Sequence, residues 1–332
     1  MKKNFIFFLC FFGIFYLTAC GKSASAPETE TVGSGEVIFM EESEKETDEN
    51  RADENREESG NVSEDSSEVL ETEEPETLEH FLDASGKNLE KRIRTPEGYE
   101  RTSEKEGSLG NFLRSYKMKK DGSPVLLYDG KEKGNQNAHV AVFKLPLENE
   151  DLQQCADSVM RVYGEYYYQK GQYDKIQFSL GGGFQANFKT WSQGNGISVN
   201  GDRVSWVSSP GNNESYASFQ KFMRIVFAYS GTMNLEEDSK KIRLRDIRTG
   251  DIFIRGGSPG HAVMVVDLCE NAEGRKAFLL AQGYMPAQEF HVLKNPLHEN
   301  DPWYYQDEIS YPFETPEYTF AKRALRRPEV EG

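Results

Sequence analysis

The chain has little cysteine, little histidine and only one long apolar run. Of its four cysteines, Cys10 and Cys20 fall in the first twenty residues. Cys155 and Cys269 remain, too few for a disulfide framework that could stand in for a core. The five histidines and the cysteines show no zinc-ligand spacing, and there is no HExxH and no GxxxxGK[ST] phosphate loop. We therefore expect no metal and no cofactor. No basic stripe is present, which argues against a nucleic-acid partner. There is no internal repeat. Beyond the N-terminus no run approaches the about 20 apolar residues that a membrane-spanning helix needs.

What is present starts with that apolar run. Lys2 and Lys3 precede an apolar segment over residues 5–16, which is the length and order of an export signal. It ends in Leu17-Thr18-Ala19-Cys20-Gly21, which resembles a lipobox. The resemblance implies cleavage after residue 19 and acylation of the Cys20 thiol. Two or three acyl chains anchor firmly where one does not. The expectation is an exported lipoprotein, held to a membrane through Cys20 and facing outside the cytoplasm.

Residues 20–80 read as a disordered acidic tether. Between residues 28 and 79 about 21 acids stand against about three bases, a charge of roughly −18. The whole chain carries −16, so the remainder is nearly balanced. Such a stretch cannot bury enough apolar surface to offset chain entropy.

Residues 81–332 read as a single α+β domain. Leu152, Val159, Val162, Tyr163 and Tyr166 recur at helical spacing, with Asn149 or Asp151 as the cap. A second helix is expected over residues 215–229. Asn200-Gly201 signals a hairpin turn. The runs 252–254, 262–268 and 277–281 read as buried strands. Residues 93–128 read as short strands and turns.

Candidate chemistry centres on Cys155 and His261. Cys155 falls in the first turns of the predicted helix, where the helix N-terminus and a nearby imidazole favour thiolate. His261 opens a strongly apolar strand, Ala262-Val263-Met264-Val265-Val266, after the small residues Gly256-Gly257-Ser258-Pro259-Gly260. Cys155 could instead be a buried hydrophobe or pair with Cys269. Cys269 lies eight residues beyond His261, roughly 26 Å along an unbroken strand. A thiol beside His261 therefore cannot also bond Cys269. Gln282 is the candidate that orients the ring. It shares the face of His261 if paired residues of the two strands sum to an odd number, and lies on the other face if the sum is even. Arg161, on one helix face with Asp157 and Glu165, is a candidate for substrate binding, as is Trp206.

Residues 93–320 resemble an uncharacterised bacterial lipoprotein family, a domain of unknown function. The resemblance rests on Gln154-Cys155-Ala156-Asp157 with Arg161 and Glu165, on Ser205-Trp206-Val207, on the Gly256 to Val263 segment, and on Ala281-Gln282 followed by Tyr284-Met285-Pro286-Ala287-Gln288. The Gly-Asp turn at Gly250-Asp251 and the Gly260-His261 pair also resemble the histidine motif of NlpC-type and CHAP-type papain-like peptidases and amidases. That resemblance implies a papain-like core, with a helix packed on a mainly antiparallel sheet. It further implies a thiol hydrolase acting on amide bonds, with Cys155, His261 and Gln282 as its catalytic residues. The chain departs from that pattern in lacking Asp-Cys-Ser-Gly at Cys155, and in offering Gln where NlpC-type enzymes usually carry His. Peptidoglycan peptides are the partner within reach of a tethered domain. The alternative is a non-catalytic ligand-binding module of the envelope on the same scaffold.

Overall fold

The computed structural model describes residues 78–329, so Cys20, the signal segment and most of the acidic stretch lie outside the described residues. The fold is α+β. Nine strands form one large sheet in which every pairing is antiparallel. At its centre the strand His261–Asn271 lies between Lys276–Gln282 and Ile252–Arg255. His291–Leu293 and His139–Val142 extend one side, and Leu325–Pro328 and Ser239–Lys241 extend the other. No described helix is long and apolar enough to cross a membrane.

The central strands are continuous apolar runs because both of their faces are covered. Ala262, Met264, Val266, Leu279 and Ala281 face the long helix Cys155–Gln169, where Val159 and Met160 meet them. Val263, Val265, Phe278 and Leu280 build a second core with Phe253, Phe313, Phe320 and Leu325. Each such aliphatic or aromatic side chain contributes about 1.5–3 kcal/mol on burial. Gly164 lets the second helix, Tyr216–Tyr229, come close, since a Cβ there would stand 3.1 Å from Phe219 and 3.2 Å from the Met223 sulfur.

A β-bulge decides the register at the sheet's centre. From Lys276↔Glu270 to Leu279↔Asp267 the paired numbers sum to an even value. At Leu280↔Val265 and Ala281↔Met264 the sum is odd. Val266 is the inserted residue, and a one-residue insertion turns later side chains to the other face. Asp267 is locked beside it, fully buried, accepting from Arg101 Nε and Arg114 Nε at 2.7 Å each and from the Leu268 amide at 2.9 Å.

Local structure departs from the sequence expectation at several ends. The long helix starts at Cys155, not Leu152, because residues 150–154 turn and Gln154 caps it. The Asp157 carboxylate closes that cap by accepting from the Gln154 backbone amide at 3.0 Å, in place of Asn149 or Asp151. Ser215 caps the second helix. The hairpin pairs Asn200 with Arg203, so its turn residues are Gly201 and Asp202, one position later than Asn200-Gly201. Residues 93–128 contain a helix, Leu109–Ser115, that short apolar spacing does not announce.

Candidate functional site

Both candidate groups come to one end of the His261 strand. Cys155 is the first residue of the long helix and is 6 % exposed. The helix reaches the strand through Ala262, whose backbone hydrogen-bonds to the Cys155 thiol. Gly283 permits this approach, because a Cβ there would lie 2.3 Å from Ser158 Oγ and 3.0 Å from the Gln154 carbonyl. Ala262 faces the helix, so strand alternation turns the preceding His261 to the mouth of the second core. There its ring lies 4.9 Å from the rings of Tyr284 and Tyr318. Among the described residues no hydrogen bond joins Cys155 directly to His261.

The odd register beyond the bulge puts Gln282 on the His261 face. Its Oε1 lies 2.7 Å from His261 Nε2. Its Nε2 donates to Glu317 Oε2 at 2.8 Å. The same carboxylate takes the ammonium of Lys133, which is 7 % exposed, and Asn135 Nδ2 at 3.2 Å from its other oxygen. Tyr284 closes over this chain, its hydroxyl donating to the Glu317 carbonyl at 3.2 Å. Glu317 and Lys133 were not among the residues that sequence reasoning selected. They sit in loops far away in sequence, and only an unexplained buried lysine could have signalled them.

Burial favours the neutral form of both candidate groups. Burial pushes the Cys155 thiol up to about 11, opposed by the Ala262 backbone hydrogen bond and reinforced by nearby Asp157. Burial pushes the His261 imidazole down to about 4, against the Gln282 hydrogen bond, and Lys133 adds to the fall. Asp157 is itself pushed up to about 8 by burial, although its carboxylate accepts the Gln154 amide at 3.0 Å. Asp157 Oδ1 and Ser158 Oγ are buried without a hydrogen-bond partner among the described residues.

A cleft of about 290 Å³ opens on this helix end, between Cys155 and Asp157 on one side and the Gly257 to Gly260 loop on the other. Met285, 54 % exposed, stands at its rim. A larger hollow of about 580 Å³ beside Ser179 and Asp238 has no thiol in its lining, whereas the small cleft is lined by Cys155, with the buried His261 just behind its Gly260 wall.

The other candidates lie elsewhere. Arg161 is fully buried, its guanidinium held by Glu148, by Gln153 at 3.2 Å and by Glu165 at 3.4 Å, 5.4 Å over the Phe227 ring. It braces Phe227, which lines the cleft, and its charge is spent on protein partners. Trp206 packs on Phe184 at 5.3 Å in the hairpin Asn195–Asn200 with Arg203–Ser208, and is not part of the cleft lining. Cys269 is a free buried thiol 3.6 Å from the Ala277 carbonyl, and Cys155 is free as well, so the disulfide reading is set aside. Among the described residues no group of three or more metal-ligating side chains gathers.

No curated protein and no solved structure matches the chain. A family model does match, over residues 89–327, and spans most of the chain. The chain belongs to the family described as Domain of unknown function (4846).

Proposed function

We propose that the chain is a papain-like thiol hydrolase acting on amide bonds, carried outside the cytoplasm on a lipid at Cys20. The observation that carries this reading is the 2.7 Å contact of His261 Nε2 with Gln282 Oε1, at the strand end where Cys155 opens its helix. An imidazole oriented by a third group, beside a thiol at a helix N-terminus, is the arrangement that covalent acyl transfer requires. The order along the chain is thiol, imidazole, amide.

The chemistry follows from the neutral resting state. His261 is unprotonated at neutral pH, so it is competent as a base. As the Cys155 sulfur attacks the carbonyl carbon, its proton passes to His261. An S–C bond forms and the carbonyl becomes an oxyanion. The first-turn amides at Cys155 and Ala156 have no earlier carbonyl in the helix to bond, so they can meet that charge. His261 returns the proton to the leaving nitrogen as the C–N bond breaks. Water, deprotonated by the same imidazole, then hydrolyses the thioester. A wall peptide is the natural substrate class for a domain tethered outside the membrane.

The test is incubation of soluble wall-derived peptides with the full chain, with mass spectrometry for new amine and carboxylate ends. Cleavage that disappears in Cys155→Ala supports the proposal, and cleavage that persists in it removes Cys155 as nucleophile. The second reading, a ligand-binding module, is favoured by the unpartnered Oδ1 of Asp157, which lines a cleft whose thiol is neutral. It predicts retention of intact peptide by wild type and Cys155→Ala alike.

A further inference from the structure

Glu317 and Lys133 lie outside the helix, the cleft and the strand pair, yet they hold the far end of the Gln282 amide. An ionised carboxylate can only accept hydrogen bonds. Glu317 Oε2 sits 2.8 Å from one end of the Gln282 amide, which must therefore present its NH₂ group there. The oxygen end is then compelled to face His261 Nε2, at 2.7 Å. A carbonyl oxygen cannot donate, so Nε2 must carry the ring hydrogen. The lone pair is left on Nδ1. Lys133 reinforces this, for its buried ammonium, which can only donate, sits on the same carboxylate oxygen that Gln282 uses. Asn135 donates to the other oxygen.

We propose that Glu317, held by its contact with Lys133, is a positioning residue that sets the tautomer of His261 through the Gln282 amide. The purpose of that tautomer rests on the hydrolase reading, since Nδ1 is the nitrogen then left free to take the thiol proton. The tautomer itself does not depend on that reading. Glu317→Gln places there an amide that can donate as well as accept, so the Gln282 amide is free to turn, and with it the ring hydrogen. Removing the Lys133 ammonium takes away the donor that holds Glu317 against the Gln282 amide, which frees that amide to turn in the same way.

The experiment is ¹⁵N NMR of histidine-labelled full-length protein at neutral pH, with His261→Ala to assign the signal among the five histidines. Wild type is expected to show His261 as the Nε2–H tautomer with a pyridine-like Nδ1. In Glu317→Gln the Nδ1 resonance should move toward the pyrrole-like range, with at least half of the Nε2–H signal lost. Lys133→Met should move it in the same direction. An Nδ1–H tautomer in wild type overturns the proposal, as does an unchanged Nε2–H tautomer in the folded variants. If Glu317→Gln does not fold, Lys133→Met decides alone. Failure of the hydrolase reading is separate, because it would appear as no Cys155-dependent cleavage while the tautomer pattern stands.

Discussion

The two sides of the cleft strand end differ in how fully their polar groups are engaged. On the imidazole side, His261, Gln282, Glu317 and Lys133 form a chain of donors and acceptors under Tyr284. On the thiol side, Cys155 is neutral, and Asp157 Oδ1 and Ser158 Oγ are buried without partners. Buried polar atoms without partners cost about 1–3 kcal/mol each. The difference teaches that the imidazole is positioned in advance, whereas the thiol side keeps hydrogen-bonding capacity in reserve. Under the proposed function a substrate's own polar atoms would use it.

Substitutions can break that contrast. The largest effect is expected on turnover: Cys155→Ala should abolish cleavage, and His261→Ala should lower it by about 10²–10⁴-fold, which steady-state rates on a responsive wall peptide would measure. Next comes the bulge that brings Gln282 to His261. Asp267→Ala leaves Arg101 and Arg114 without their shared carboxylate and should cost about 3–5 kcal/mol in denaturant unfolding. A smaller loss is expected at the joint between the two sides. Gly283→Ala drives a methyl into Ser158 and the Gln154 carbonyl and should cost about 1–3 kcal/mol, with a shift of the helix end readable in the Cys155 environment.

The pH dependence of stability sharpens the contrast, since its two halves have opposite signs. The His261 pKa falls from 6.5 to about 4 on folding, so the folded state binds fewer protons between those values and stability rises with pH there. The Asp157 pKa rises from 3.8 to about 8, so the folded state binds more protons and stability falls as pH climbs from about 4 to 8. Below about 6.5 the two oppose each other, and above it Asp157 acts alone. Asp157→Asn should remove a downward slope of up to about 1.4 kcal/mol per pH unit between pH 6.5 and 8. His261→Ala should leave that window unchanged. A wild-type curve flat from pH 6.5 to 8 would contradict the buried carboxyl.

Much of the architecture was legible because period and punctuation are local. The two helices, the buried strands at 252–254, 262–268 and 277–281, and the hairpin at Asn200 all announce themselves by spacing or turn residues. The relation of Gln282 to His261 was legible only as a condition. Parity alone could not choose the face, because the inserted Val266 depends on how Asp267 is held by two arginines about 150 residues or more away in sequence. Arg161 was legible in part. It does pair with Glu165 at 3.4 Å on the helix face its spacing gives, but Glu148 and Gln153 arrive from the preceding loop and bury it, which removes it as a substrate-binding group. Trp206 looked like a stacking surface, and Phe184 from a neighbouring hairpin covers it. Glu317 and Lys133 were invisible for the same reason, since their meeting is set by tertiary loop placement.

The central claim is that His261 serves the Cys155 thiol, and alkylation kinetics test it most directly. The full-length protein is treated with iodoacetamide at pH 7, and modification of Cys155 and Cys269 is followed by peptide mass spectrometry. The account predicts that Cys155 reacts faster than Cys269 and slows at least about tenfold in His261→Ala. Equal Cys155 rates in wild type and His261→Ala would contradict it.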